Sequence, residues 1–218
     1  PPKVYEKREV KLSQQQKIAY GELKENCRVV IQDEMASYNN KLTEIIKLQQ
    51  ACNGFIKTDE GQIIEFPCGK LDELMNILDE VDGKVIIWAN FVYNIEKIIK
   101  TLKDKFGPMS VVSIYGNVPV VVRNSAVKNF QENEKVRFFV GNPSTGGYGL
   151  NLTKANTVIY FSNSFNLEVR QQSEDRAHRI KQKKSVTYID LIAKGTIDEF
   201  VLKSLNQKLT LSAQTLGE

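Results

Sequence analysis

The stretch VRFFVGNPSTGGYGLNLTKANTVIYF, residues 136–161, contains two apolar runs separated by a glycine-rich loop. The runs, 136–140 and 157–161, are short and rich in β-branched and aromatic side chains, which is typical of buried strands. Gly146, Gly147 and Gly149 fall within four positions of the loop, so its backbone can approach a ligand closely and present amides to an oxyanion. Glycine-rich turns also follow strands for purely steric reasons, so both interpretations of the loop stay open.

Similar apolar runs lie on both sides of this stretch, at 85–88, 111–115 and 186–191. Segments with apolar residues three or four positions apart separate the runs, and this spacing is typical of amphipathic helices. These segments are 71–78, 92–106, 120–130 and 167–180. Strands that alternate with helices predict an α/β fold, in which a parallel sheet is flanked by helices. Ligands of such sheets gather at the carboxyl ends of the strands.

The two ends of the chain have a helical pattern without strand-like alternation. Ser13 and Gln16 have the spacing of a capping box ahead of apolar residues that recur to position 52, and turn-forming residues cluster from 53 to 67. Thr196 and Glu199 have the same spacing ahead of a final periodic segment. We therefore predict a helical lead-in over 1–68, an α/β lobe over 69–195 and a docking helix over 196–218.

The composition is that of an ordinary globular protein, with 41% hydrophobic and 26% charged residues among 218. No run reaches the roughly 18 apolar residues of a membrane span, and the first residues lack the apolar core of a secretory signal. We expect an intracellular protein without membrane contact, in the cytoplasm or nucleoid if bacterial or phage and in the nucleus if eukaryotic. Cys27, Cys52, Cys68 and the single histidine, His178, lack the spacing of a zinc site, so no metal site is predicted.

The segment QQSEDRAHRIKQ, residues 171–182, begins a cluster of positive charge. Arg176 and Arg179 are one helical turn apart, so two guanidinium groups could hold one phosphate. The same spacing also occurs on solvated helix faces, and the net charge of +4 does not decide between the two. Five basic residues fall within nine positions that contain no carboxylate: Arg176, Arg179, Lys181, Lys183 and Lys184.

The sequence lacks a complete nucleotide site of its own. A Walker A loop needs an upstream glycine and a hydroxyl residue after Gly-Lys, and Gly69-Lys70-Leu71 has neither. Asp190 ends a strand without a second carboxylate beside it, so no paired magnesium site is expected. Any nucleotide chemistry must therefore be shared with another domain.

Taken in order, these segments resemble the second RecA-like lobe of helicase superfamily two, most closely that of the SWI/SNF-type ATPases. The resemblance covers nearly the whole chain. Three positions depart from the family pattern: Lys181 replaces a glycine, Phe165-Asn166-Leu167 replaces Trp-Asn-Pro, and Tyr148 replaces an aliphatic residue. The matching segments are 69–74 at the start of the lobe, 85–91 for the fourth motif, 144–152 for motif five and 172–182 for motif six.

The resemblance implies a role in ATP hydrolysis for the residues of motif six. Arg176 and Arg179 would reach the γ-phosphate of ATP held by a first lobe, with Arg179 nearest to an arginine finger and Gln172 organising the same edge. Gly147 and Gly149 would also lie near the nucleotide. ATP and Mg²⁺ would be held mainly by the first lobe, and none would be bound by this segment alone.

The resemblance also implies contacts with the backbone of double-stranded DNA. Backbone contacts of this kind set the register of a protein without reading the base sequence. The residues expected to make them are Ser144, Thr145 and Asn151 in motif five, with Gly116, Asn117 and Arg123 after the second strand.

The sequence therefore predicts the second motor lobe of an ATP-dependent DNA translocase, inactive without the first RecA-like lobe of the same polypeptide. One alternative is a standalone nucleic-acid or protein-binding module derived from such a lobe. Another is the second lobe of an RNA helicase. The sequence does not indicate the remodelled target or the direction of tracking.

Overall fold

The computed structural model describes residues 1–31, 33–37, 39–116, 118–145, 149–180 and 182–216, with side chains as far as Ser212. Its elements, in chain order, are β1 (Lys3–Val10), α1 (Gln14–Asn26), β2 (Arg28–Ile31), β3 (Glu34–Ser37), α2 (Lys41–Cys52), β4 (Phe55–Lys57), β5 (Ile63–Glu65), α3 (Gly69–Glu80), β6 (Lys84–Trp88), α4 (Val92–Phe106), β7 (Val111–Ile114), α5 (Val120–Glu132), β8 (Phe138–Gly141), β9 (Ala155–Tyr160), α6 (Leu167–Glu174), β10 (Val186–Ala193) and α7 (Ile197–Leu216).

A six-stranded sheet in the order β1-β10-β9-β6-β8-β7 forms the body, and every neighbouring pair is parallel. The five predicted strands all belong to this sheet, and α3, α4 and α5 occupy the predicted helical segments. The RecA-like α/β fold is thus confirmed. The four inner strands β6, β8, β9 and β10 are buried on both faces, as is usual for parallel sheets.

Alternate residues of each central strand enter two separate apolar cores. Val85 and Ile87 of β6 pack with α3 and α4, whereas Ile86 and Trp88 pack on the other face with α5. Helix α4 forms because Ile95, Ile98 and Leu102 recur on one face and are fully buried. It ends at Gly107, whose φ of 94° disfavours residues with a Cβ atom.

The N-terminal segment differs from the predicted lead-in in two places. Residues 3–10 form β1, which pairs with β10 over eight positions, although the segment carries too many charges to show an apolar pattern. Arg28–Ile31 and Glu34–Ser37 pair as the antiparallel strands β2 and β3, so the prediction of a helix there was wrong. Cys27 adopts φ 58° and ends α1, and the buried Val29 beside the exposed Val30 then follows the two-residue period of a strand. The predicted capping box of Ser13 and Gln16 is confirmed. The division of the chain at 68 and 195 stays a prediction.

A buried ion pair holds the last helix against the sheet. Lys70 Nζ lies 2.6 Å from Asp198 Oδ2, and both side chains are almost completely buried. The ammonium also donates to Asn53 Oδ1 at 2.9 Å and to the carbonyl of Phe161 at 3.2 Å. One cation therefore joins the start of α3, the end of α2 and the start of α7. In the part of the chain that the structure describes, no helix has the length and apolar character to cross a bilayer.

We expect Lys70→Ala to lower the free energy of unfolding by about 3–5 kcal/mol, because it leaves Asp198 buried without its counter-charge. Denaturant titration measures the change. The matched control is Lys97→Ala, which breaks an exposed pair with Glu65 at 2.7 Å. That variant should lose less than about 1 kcal/mol. Equal losses for the two variants would contradict the proposed importance of Lys70.

Candidate nucleotide and nucleic-acid site

The loops that follow β6, β8 and β9 are tied together at the carboxyl-end edge of the sheet. Asn142, directly after β8, donates from Nδ2 to the carbonyl of Asn90 at 2.9 Å. Its Oδ1 accepts from the backbone N–H of Ser144 at 2.9 Å and from the Ser144 hydroxyl at 2.5 Å. Asn90 N–H in turn donates to Ser162 Oγ at 2.9 Å. The segments after β6, β8 and β9 therefore form one connected surface.

Gly141 sets the direction in which motif five leaves β8. A Cβ atom at this position would lie 2.6 Å from the carbonyl oxygen of Ile114 and 3.2 Å from the ring of Trp88. Both separations are shorter than ordinary contacts, and the first is to backbone that cannot move aside. Glycine therefore permits the close approach of β7, β8 and Trp88 beneath the loop.

The two motif-six arginines do not lie on a regular helix. Helix α6 was predicted to reach Ile180, but it ends at Glu174 and the following residues form turns. Arg176 and Arg179 are consequently not related by the i, i+3 geometry of a helix that the sequence suggested.

Arg176 is buried and holds the motif-five loop. Its Nη2 donates to the carbonyl of Pro143 at 3.0 Å, and its Nη1 lies 3.5 Å from the carbonyl of Thr145. The guanidinium carbon is 5.0 Å from the centre of the Trp88 ring, a cation–π contact. The Arg176 carbonyl accepts from Leu152 N–H at 2.9 Å, so Arg176 contacts both ends of the loop.

The charge on Arg176 is held in a partly desolvated environment. Burial lowers the pKa of Arg176 below its usual range, and the positive charge of Arg123 lowers it further against an opposing effect of Tyr160. Arg123 and Arg176 therefore share one positive region beside the loop. Such a region favours the binding of an anion.

Arg179 contrasts with Arg176 because its side chain is exposed. Its guanidinium has no hydrogen bond or ion pair with the residues that the structure describes. The backbone is nevertheless fixed, since the Arg179 carbonyl accepts from Gln182 N–H at 2.7 Å. Gln182 Nε2 donates to the carbonyls of Thr153, Ala155 and Ala177 at 2.9–3.1 Å. A free cationic group thus extends from an anchored turn.

The other predicted residues make fewer contacts. Ser144, Gly149 and Gly116 are exposed, and Thr145 is partly exposed. Asn151 Oδ1 accepts from the hydroxyl of Thr153 at 3.0 Å.

Arg123 and Gln172 make only local hydrogen bonds among the described residues. Arg123 Nη2 is 3.4 Å from the carbonyl of Val118, and its buried Nε has no partner. Gln172 is exposed and donates to Glu168 Oε1 at 2.9 Å. Gly146, Gly147, Tyr148, Asn117 and Lys181 lie outside the described residues.

A buried charge network beneath the arginines was missed in the sequence. Arg170 Nε donates to Glu174 Oε1 at 2.8 Å, and Nη1 and Nη2 donate to the two oxygens of Asp190 at 2.6 and 3.1 Å. Nη1 also reaches Asn163 Oδ1 at 2.7 Å, and the guanidinium lies 3.5 Å from the centre of the Tyr160 ring. Asp190 therefore pairs with a guanidinium, a partner that the sequence analysis did not identify. The i, i+4 spacing of Arg170 and Glu174 was the available signal.

The position of the family tryptophan is occupied by Phe165, which packs against the last helix. The ring centres of Phe165 and Phe200 are 5.8 Å apart in an edge-to-face arrangement. Lys208 Nζ donates to the Phe165 carbonyl at 2.7 Å. This aromatic side chain therefore contacts α7 in the structure.

A cavity of about 1160 Å³ lies elsewhere, between α1, the β2–β3 hairpin and β5. Its lining includes Ile18, Val30 and Ile64 and none of the predicted site residues. The cavity beside Pro143 and Ser162 has a volume of only about 10 Å³. Among the described residues, the carboxyl-end edge of the sheet is therefore an open surface without a sizeable pocket beside Pro143 and Ser162.

The family model for the helicase conserved C-terminal domain matches residues 69–181, which include the fourth to sixth motifs described above. The chain belongs to this family. The match also agrees with the RecA-like lobe of SWI2/SNF2-type superfamily two enzymes, and the resemblance inferred from the motifs is thus confirmed.

Solved structures share this fold across almost the whole chain. The C-terminal part of the Fun30 ATPase domain matches with a TM-score of 0.72 at 19% identity, covering 94% of this chain and 89% of that chain. The Sulfolobus solfataricus SWI2/SNF2 ATPase core in complex with dsDNA matches with a TM-score of 0.72 at 26% identity, covering 97% of this chain and 45% of that chain.

Curated relatives include two ATP-dependent helicases. One, from Mycoplasma genitalium, is 31% identical over all of this chain and 21% of its own length. The other, fft2 of Schizosaccharomyces pombe, is 35% identical over 65% of this chain and 11% of its own length. The chain therefore spans about a tenth to a fifth of these relatives.

We expect Arg176→Lys to loosen the motif-five loop, because an ammonium cannot reproduce the fork that reaches Pro143 and Thr145 while lying over Trp88. Losing a charged hydrogen bond should speed amide hydrogen exchange at Ser144 and Thr145 by about tenfold or more. Arg179→Lys is the matched control, since that guanidinium makes no described contact. If the amides of both variants exchange at the wild-type rate, Arg176 does not hold the motif-five loop.

Proposed function

We propose that the chain is the second motor lobe of an ATP-dependent double-stranded DNA translocase and works with a first RecA-like lobe of the same polypeptide. The observation that supports this most strongly is the exposed guanidinium of Arg179, unpaired among the described residues, on a turn that Gln182 anchors. The chain itself lacks a Walker A loop, so a complete ATP site requires a second domain.

Arg179 is proposed as the arginine finger. Its fixed backbone and unoccupied side chain suit a group that must meet a phosphate held by an opposing surface. A finger of this kind stabilises charge that develops on the transferred phosphoryl group, by about 10³-fold or more in rate. Gln172, Gly147 and Gly149 are proposed to lie along the same nucleotide edge.

Arg176 is proposed to act mainly on the loop, with any contact to the γ-phosphate depending on lobe closure. Its hydrogen bonds to loop carbonyls leave little of the guanidinium free in this structure. By holding Pro143 and Thr145, it would connect the nucleotide edge with the loop that meets DNA.

ATP and Mg²⁺ are proposed to be held mainly by the first lobe, and this segment alone is proposed to be inactive. The relatives named above are ATP-dependent helicases. In the ranges that the structure describes, no three His, Cys, Asp or Glu side chains group closely enough to suggest a metal site. ATP bound at the shared cleft would supply the phosphoryl group, and the residues here would orient and stabilise its charge.

The proposed DNA contacts run from the motif-five loop to the start of α5. Ser144, Thr145 and Asn151 offer hydroxyl and amide groups, and the positive charge of Arg123 lies beside them. Gly116 and Asn117 would add backbone contacts. Double-stranded DNA is favoured over RNA because the SWI2/SNF2 core at 26% identity was solved with dsDNA.

The cellular compartment follows from this proposal. A DNA translocase would act inside the cell, in the nucleus of a eukaryote or at the nucleoid of a bacterium. One relative at 32% identity over 69% of this chain is the chromatin-remodeling ATPase INO80 of Neurospora crassa.

We expect Arg179→Ala in the full-length protein to lower the kcat of DNA-stimulated ATP hydrolysis by about 10³-fold. Nucleotide affinity should change little, because the finger acts on charge that appears only in the transition state. Steady-state hydrolysis and equilibrium nucleotide binding provide the two measurements. Lys183→Ala, an exposed neighbour, should keep wild-type kcat. ATP hydrolysis by residues 1–218 alone would refute the shared site.

We expect Arg123→Ala to weaken binding to DNA of any sequence and to reduce the slope of log K against log salt by about 1, because one phosphate contact is lost. Fluorescence anisotropy over a salt series measures the slope. The control variant is Lys128→Ala. Lys128 lies later on the same helix, and its ammonium is 4.0 Å from Glu132 Oε2. An equal effect of both variants would show that Arg123 contributes only general positive charge.

A further inference from the structure

Strand β1 contacts the segment that carries the two arginines. Lys3 Nζ lies 3.1 Å from Glu174 Oε2 and 3.3 Å from Asp175 Oδ1. The Tyr5 hydroxyl donates to Glu174 Oε2 at 2.8 Å. His178 Nε2 donates to the carbonyl of Pro1 at 2.6 Å. All of these contacts fall on residues 174–178, immediately before Arg179.

Glu174 is the point at which β1 and the buried charge network meet. Its side chain is buried, and its oxygens are divided between two sets of donors. Oε1 accepts from Arg170 Nε at 2.8 Å, whereas Oε2 accepts from Tyr5 and Lys3. Because Glu174 is the last residue of α6, these bonds fix the place where the turns begin.

Tyr5 is well placed to donate permanently to this carboxylate. Its ring stacks on Tyr188, with centres 5.3 Å apart and planes inclined by 24°. The Tyr188 hydroxyl donates to the backbone carbonyl of Glu174 at 3.0 Å, so two tyrosines hold the same residue. Burial, together with the negative charge of Glu174, raises the pKa of Tyr5, and the hydroxyl therefore keeps its proton at neutral pH.

Within the turn segment 175–180, the backbone N–H groups of Ala177 and His178 donate to the Glu174 carbonyl at 3.1 Å, and Arg176 holds the motif-five loop. The segment lacks a continuous helical hydrogen-bond ladder, and on its far side it is held by Gln182. The direction of the Arg179 side chain therefore depends on how both ends of the turn are fixed. Tyr5 and Lys3 help Arg170 and Tyr188 to fix the first end, and Gln182 fixes the second.

We propose that Tyr5 and Lys3 are positioning residues for Arg179, acting through Glu174. The inference rests on the proposed function, because it assumes that Arg179 acts on ATP. It assigns to the first strand a part in the chemical step, beyond completing the sheet.

The test is Tyr5→Phe in the full-length protein, which removes one hydroxyl and keeps the ring stacked on Tyr188. The expected result is a loss of about tenfold in the kcat of DNA-stimulated ATP hydrolysis, the size of one charged hydrogen bond. The KM for ATP should stay within about twofold, since ground-state binding is not altered. Lys3→Gln should lower kcat in the same direction. Lys7→Gln is the matched control, because Lys7 pairs with Glu9 on the same strand at 2.6 Å.

A double-mutant cycle separates positioning from general destabilisation. In an Arg179→Lys background, Tyr5→Phe should cause little further loss of kcat, because its effect passes through the missing guanidinium. The same tenfold loss in both backgrounds would overturn the inference. An unchanged kcat for Tyr5→Phe would also overturn the inference about Tyr5. In that case, a large loss of kcat in the Arg179→Lys single variant would still support the proposed function. If Arg179→Lys has no effect on hydrolysis, the proposed function itself fails.

Discussion

The arrangement of the site depends on the buried guanidinium of Arg170. Burying a charge is costly unless good geometry and hydrogen bonds compensate. Here Asp190 accepts two bonds from Arg170 and Glu174 accepts a third, and Asn163 accepts a fourth. Because these partners come from β10, α6 and the loop after β9, one side chain fixes α6 relative to the sheet. The contacts of Arg170 therefore also determine where the turns after α6 begin.

Two arginines three residues apart therefore have different environments. Arg176 is directed inward onto Trp88 and the loop carbonyls, whereas Arg179 is directed outward. The difference follows from the end of α6 at Glu174, after which the backbone no longer places residues i and i+3 on one face. The sequence suggested that both arginines hold one phosphate. In the structure, Arg176 holds the loop, whereas Arg179 is exposed and unpaired among the described residues.

Five of the six strands could be predicted because they are continuous apolar runs, and the burial of the four inner strands on both faces strengthens that sequence pattern. Strand β1 could not be predicted in this way, since its pairing with β10 uses backbone groups and most of its side chains are exposed. The antiparallel pair of β2 and β3 was missed because a few apolar residues matched a helical period by chance. In the site, motif spacing identified Arg176 and Arg179, but the end of α6 and the contacts of Arg170 arise from residues distant in sequence. The interior of motif five, residues 146–148, lies outside the described structure.

Strand β1 also lies at the border of the sheet, with β10 as its only sheet neighbour among the described strands. A border strand exposes unpaired N–H and C=O groups to which another polypeptide could add as an extra strand. Glu6, Lys7, Arg8 and Glu9 are consecutive charges on this border. The free-energy cost of desolvating these charges would oppose the addition of a foreign strand. The charges that made β1 hard to predict from the sequence would therefore also disfavour aggregation at this edge.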